Sequence, residues 1–276
     1  MTLIEAIIFG IVQGITEFLP VSSTAHIVIT QLLFGYSFPG LGFEIFLHLA
    51  SVSAVILYFW KDLWSVIVGF IRYIMKRDRQ DRTEFWFGVY ILIATVITGG
   101  LGFILSDSFG EAFKTPLMIA IALTVTGVAL IFIEKFHRTG KKDASTMTLM
   151  DSIIVGLGQT LAVIPGISRS GSTLIVALLR GMDKDTAVRY SFLLSIPVIL
   201  GSTVLGITDF TSEMVDYIGV TNLIVTFVLT FTFSILGIIW LIDFLKKSKL
   251  VYFAIYCFVV AALVLIFIDP TTVVDV

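Results

Sequence analysis

Two apolar regions of this chain, 2–34 and 150–180, are each broken near the middle by a polar, proline-containing stretch. The first break is Leu19-Pro20-Val21-Ser22-Ser23-Thr24, and the second runs from Pro165-Gly166-Ile167-Ser168-Arg169 to Ser170-Gly171-Ser172-Thr173. The halves on either side hold about 11–18 residues, which at about 1.5 Å per residue fall short of a hydrocarbon core about 30 Å thick. Six further stretches, 44–60, 85–105, 116–133, 190–207, 221–242 and 251–268, are apolar over nearly the length of a bilayer crossing. Apolar residues make up 57% of the 276 and charged residues only 14%, against about 25% in soluble domains. So little polar surface excludes a soluble chain. The pattern predicts an all-α membrane protein with six transmembrane helices and two re-entrant helix pairs.

Charge supports that division. Sixteen of the 18 basic residues lie in four segments, 61–84, 135–150, 180–189 and 246–249. The other connections are acidic: Asp107 and Glu111 beside Lys114, then Asp209, Glu213 and Asp216, then Asp269 and Asp275. The positive-inside rule places the basic segments in the cytoplasm. The six spans then alternate correctly only if 2–34 enters and leaves from outside while 150–180 enters and leaves from inside. Gly10-Ile11-Val12-Gln13 followed by Pro20 and serines also resembles Gly156-Leu157-Gly158-Gln159 followed by Pro165 and serines. A single membrane domain built as an inverted repeat, 1–140 and 141–276, is the expectation, with its site where the broken helices meet. No cleavable signal peptide is expected, because the first apolar stretch opens with Glu5 and no A-x-A-like site closes it. The single cysteine, Cys257, lies in an apolar run and reads as a small packing residue.

Irregular backbone at membrane depth persists only where protein or a wet cavity satisfies it. Both breaks are therefore expected to line one cavity. Pro20 and Pro165 each end a half-helix, and the hydroxyl-rich runs behind them suit the N-caps of the next, so two helix N-termini point at an anion. Arg169 adds a guanidinium fork suited to phosphate oxygens. Glu17 lies four residues after Gln13 on one helix face, and the pair offers oxygens to a hard cation such as Mg²⁺. A buried ionisable group costs about 2.5–3.5 kcal/mol in a bilayer, so Glu17 and Arg169 need a site or each other. His26, three residues after Ser23, is open to two roles, as a general base for Ser23 or as a direct nucleophile on phosphorus. His48 is either a supporting site residue or a helix contact. His137 reads as a solvated loop residue, and the Gly99-Gly100-Leu101-Gly102 run as close helix packing.

Gln13 to His26, read as Q-G-I-T-E-F-L-P-V-S-S-T-A-H, and Pro165 to Thr173, read as P-G-I-S-R-S-G-S-T, resemble the two signature motifs of the BacA-type undecaprenyl-diphosphate phosphatases. The segment Arg189 to Pro197 resembles a third family stretch, and the similarity extends over essentially the whole chain. The resemblance implies that Glu17, Ser23, His26 and Arg169 are catalytic. It implies that Ser168, Ser170 and Thr173 hold phosphate, a role the hydroxyl-rich breaks extend to Ser22, Thr24 and Gly166. It implies a divalent cation, Mg²⁺ first and Ca²⁺ second, with Glu17 and Gln13 as the ligands this sequence offers, although family members also carry Glu at the position of Gln13. Ala25 and Ala50 stand where many relatives carry glycine. The implied reaction returns undecaprenyl phosphate from its diphosphate at the outer face of the bacterial plasma membrane, in peptidoglycan synthesis and bacitracin resistance. The expected partners are a polyprenyl diphosphate and the bilayer, not nucleic acid, with a homodimer left open. A secondary transporter or flippase of a lipid phosphate is the alternative, because broken inverted repeats also serve alternating access.

Overall fold

The computed structural model describes residues 1–36, 38, 40–109, 115–136 and 140–269, with backbone only for 106–109 and 136. His137, Arg138, Glu111, Lys114 and Asp275 lie outside the described residues. The described chain is helical, with one isolated parallel bridge between Lys142 and Met182. In order the helices are α1 (Leu3–Phe18), α2 (Ser23–Phe34), α3 (Gly42–Tyr58), α4 (Trp60–Lys76), α5 (Arg82–Phe109) and α6 (Pro116–Phe136). They continue with α7 (Leu149–Thr160), α8 (Arg169–Leu179), α9 (Lys184–Leu205), α10 (Ser212–Ile218), α11 (Val220–Lys246) and α12 (Val251–Phe267).

Four helices, α5, α6, α9 and α11, are long and apolar enough to cross a membrane, and α3 with α4 makes a fifth if that pair is one span. The expected span 44–60 ends at a bend of 77° between Tyr58 and Trp60. Beyond the bend the sequence turns amphipathic, placing Trp64, Ile67, Ile71 and Ile74 at the surface with Arg72 and Lys76. At 17 residues, α3 and α12 each reach about 25 Å, just short of the hydrocarbon thickness.

Both broken regions are helix pairs as expected. α1 and α7 start on matched capping boxes, in which Thr2 pairs with Glu5 and Thr148 with Asp151, satisfying free N–H groups at each entry. The first break falls where the proline predicts: α1 stops at Phe18, two residues before Pro20. The second does not. α7 stops at Thr160, and a 3-10 turn over Leu161–Val163 precedes Pro165. The proline therefore continues a break already made.

Packing brings the pairs together. α1 lies along α11 and α7 along α5, while α3 meets α9 and α6 meets α12. Small residues permit the close approaches. A Cβ at Gly14 would stand 2.7 Å from the Thr230 carbonyl, and one at Gly156 would stand 3.0 Å from Ala94 Cα. Thr226 Oγ1 donates to the Ala6 carbonyl across the α1–α11 contact, and Ser152 Oγ donates to the Tyr90 carbonyl across the α7–α5 contact. The run Gly99-Gly100-Leu101-Gly102 plays no such part: a Cβ at Gly99 or Gly100 would meet nothing within 4 Å, and one at Gly102 would make only an ordinary contact with Val163. Spacing alone does not reveal which face of α5 meets a neighbour.

Candidate active site

Glu17 sits in the last turn of α1, and its side chain is 1% exposed. It is held by three donors and a neighbouring imidazole. Arg169, the first residue of α8, donates Nη2–H to Oε1. Gln13 Nε2 donates to Oε2 at 2.8 Å and Ser23 Oγ donates to the same oxygen at 2.6 Å. His48 Nε2, from the middle of α3, lies 3.3 Å from Oε2. The four-residue spacing of Gln13 and Glu17 delivers the first contact. The turn between α1 and α2 delivers Ser23, α3 delivers His48, and only the Arg169 contact requires the two breaks to meet.

The turn between α1 and α2 shapes the nucleophile candidate. Ser22 caps α2, its Oγ accepting from Ala25 N at 3.3 Å, and has φ 67°, a left-handed conformation uncommon for a residue with a side chain. Ser168 caps α8 in the same way, accepting from Gly171 N at 3.0 Å. A cavity of about 220 Å³ lies between the two helix N-termini, lined by Glu17, Ser22, Ser23, Thr24 and His48 from the first half. Thr98, Gln159, Ile167, Ser168, Arg169 and Val198 close the other side. Unpaired N–H groups and the positive ends of two helix dipoles therefore face one cavity beside a guanidinium.

Several expected residues do not reach this space. Gly166 (φ 95°) packs on α6, where a Cβ would stand 2.7 Å from the Ala122 side chain. Ser170 Oγ bonds Ser168 Oγ at 3.2 Å and the Leu19 carbonyl at 3.3 Å, so it ties the two breaks together. Thr173 Oγ1 returns to the carbonyls of Arg169 and Ser170. Neither side chain lines the cavity; with Arg169 both border a smaller pocket against Phe18 and Phe192 instead. His26 is also displaced. Its Nδ1 meets the Ser22 carbonyl and its Nε2 the Tyr256 hydroxyl, each at 2.7 Å, so neither nitrogen addresses Ser23.

The sequence offered little signal for three residues here. Thr98 and Tyr256 sit inside apolar stretches, where nothing in the sequence singles them out. Gln159 appeared only as part of a repeat. It is 2% exposed, its Nε2 donates to Thr98 Oγ1 at 2.8 Å, and its Oε1 is buried without a protein partner.

The donor set bears on the expected cation. Among the described residues no three His, Cys, Asp or Glu side chains cluster as a metal cage, and Glu17 is the only carboxylate lining the cavity. Gln13 turns its amide nitrogen, not its oxygen, to Glu17. These residues suit a hard cation that arrives on substrate phosphates and takes one protein carboxylate, a habit of Mg²⁺; they do not suit one held by protein alone.

Comparison with known proteins agrees with the motifs. Residues 6–263 match the family model described as bacitracin resistance protein BacA. The chain is 61% identical over 276 residues to undecaprenyl-diphosphatase 2 of Halalkalibacterium halodurans, covering 100% of this chain and 99% of that one. It is 56% identical over 270 residues to undecaprenyl-diphosphatase 1 of Shouchella clausii, covering 98% of each, and 39% identical over 270 residues to undecaprenyl-diphosphatase of Oceanobacillus iheyensis, covering 97% of each. A match of that length, on a chain whose two signature segments close around one cavity, places this protein in the BacA bacitracin resistance family.

Proposed function

We propose that this chain is a membrane hydrolase that converts undecaprenyl diphosphate to undecaprenyl phosphate, recycling the lipid carrier of peptidoglycan synthesis. Its relatives carry that activity in their names. The observation that carries the reading is the joining of Glu17, Ser23 and Arg169 at one cavity faced by two helix N-termini. A carrier needs binding groups but no nucleophile, and Ser23 held against a buried carboxylate favours the phosphatase.

In the proposed reaction the terminal phosphate enters between the N-termini of α2 and α8. Arg169 and the free N–H groups take its charge, as phosphoryl transfer requires. Ser23 Oγ forms a bond to the terminal phosphorus and passes its proton to Glu17 Oε2, already 2.6 Å away. The bond from phosphorus to the bridging oxygen breaks, and the lipid monophosphate leaves with that electron pair. Water then attacks the phosphoserine, Ser23 recovers its proton from Glu17, and both water hydrogens leave on inorganic phosphate. Ser22, Thr24 and Ser168 are the hydroxyls that border the bound phosphate. His48 steadies the carboxylate. A divalent cation, Mg²⁺ before Ca²⁺, would bind through Glu17 and the substrate oxygens and offset the diphosphate charge.

The same proposal includes six spans and an inverted repeat opening outward from the bacterial plasma membrane. Equivalent features recur 146 residues apart: Thr2 and Thr148, Gly10 and Gly156, Gln13 and Gln159, Ser22 and Ser168. The paired contacts α1–α11 and α5–α7 support it, since each re-entrant pair packs on a span of the other half.

Purified protein given farnesyl diphosphate and Mg²⁺ is expected to release inorganic phosphate, and Ser23→Ala to abolish the release. Counterflow of a lipid phosphate with no phosphate release from the wild type would replace this reading with the carrier.

A further inference from the structure

We propose that Tyr256, on α12, is a positioning residue for the Ser23 centre and acts through His26; the inference rests on the phosphatase reading above. A carbonyl oxygen carries no proton, so His26 Nδ1, 2.7 Å from the Ser22 carbonyl, must be the donor. In the neutral ring Nε2 is then an acceptor, and it takes its hydrogen bond from the Tyr256 hydroxyl at 2.7 Å. The two rings lie parallel to within 7°, centroids 5.5 Å apart, so the Ser22 carbonyl sets the tautomer and Tyr256 holds the plane of the imidazole.

The residue at the far end of this chain is the one that needs holding. Ser22 has φ 67°, and a residue with a side chain stays there only where its surroundings over-determine it. That turn is also what presents Ser23 to Glu17. The imidazole clamps the carbonyl of the strained residue, and α12 touches the same break again where Cys257 Sγ lies 4.0 Å from the Pro20 carbonyl. The geometry thus gives His26 a donor role toward the backbone, with no nitrogen left for Ser23.

Side-chain geometry supplies the test, because the amide nitrogen of Asn stands near the place of Nδ1 and can donate but cannot take up a proton. With farnesyl diphosphate and Mg²⁺, His26→Asn is expected to keep kcat within about tenfold of the wild type, while His26→Ala loses about 100-fold or more. Tyr256→Phe keeps the stacked ring and loses one hydrogen bond, so kcat is expected to fall about fivefold with KM and melting temperature unchanged. His26→Asn as inactive as His26→Ala would overturn the proposal and return His26 to proton transfer or attack. Tyr256→Phe with wild-type kcat, or with a lowered melting temperature and normal kcat for the folded fraction, would equally overturn it. A wild type that releases no phosphate would instead remove the phosphatase reading on which the proposal stands.

Discussion

Glu17 accepts hydrogen bonds from Arg169, Gln13 and Ser23, and His48 Nε2 lies 3.3 Å from the same carboxylate. Removing Arg169 leaves that charge buried and under-neutralised. Arg169→Ala is therefore expected to cost about 3–5 kcal/mol of stability as well as activity. Adding Glu17→Ala should recover part of that stability, and thermal unfolding of the two single variants and the double variant in detergent checks the coupling. The hydroxyls of the second break separate by position. Ser168→Ala is expected to raise KM and to cost about 0.5–2 kcal/mol through loss of the α8 cap. Thr173→Ala, whose hydroxyl turns back to its own helix, is expected to leave KM unchanged. Equal KM effects for the two would show that Thr173 reaches the phosphate after all.

At the scale of elements, the broken helices depend on close backbone contact with long spans. Gly14→Ala would drive a Cβ to 2.7 Å from the Thr230 carbonyl, an atom that cannot step aside. It is expected to destabilise the protein by about 1–3 kcal/mol, with activity falling in step as α1 and Glu17 shift. Gly100→Ala, open on all sides, is expected to change neither, and melting curves of the two variants make the comparison. The start of the second helix pair is fastened by Asp151, fully buried and bonded by Lys142, Arg180 and Thr148. That cluster ties the start of α7 to the end of α8.

At the scale of the whole molecule, α1 of the first broken region packs along α11 and α7 of the second packs along α5, so each is supported by a long helix from the other half of the sequence. The site, with Glu17 from one half of the sequence and Arg169 from the other, therefore needs both. The proposed topology has a direct check in thiol labelling. In a Cys257→Ser background, Lys76→Cys and Lys247→Cys are expected to react with a membrane-impermeant reagent only after the cytoplasmic face is opened. Glu213→Cys is expected to react in intact cells. The reverse pattern would invert the chain and move the cavity mouth to the cytoplasm.

The sequence by itself determined the helical class, the two breaks and the groups of one chemistry they carry. Apolar length, proline and buried charge are local quantities, and Gln13 finds Glu17 within one helix. It also determined that Glu17 and Arg169 required each other or a ligand, because an isolated charge at that depth is too costly. Tertiary structure decided the rest. Which hydroxyls face the cavity depends on the rotation of α8, and whether His26 serves Ser23 or Ser22 depends on a tyrosine 230 residues away. The place where α7 ends depends on a 3-10 turn that no proline marks. These are outcomes of packing between distant helices, and no spacing along one of them records how it is turned against the next.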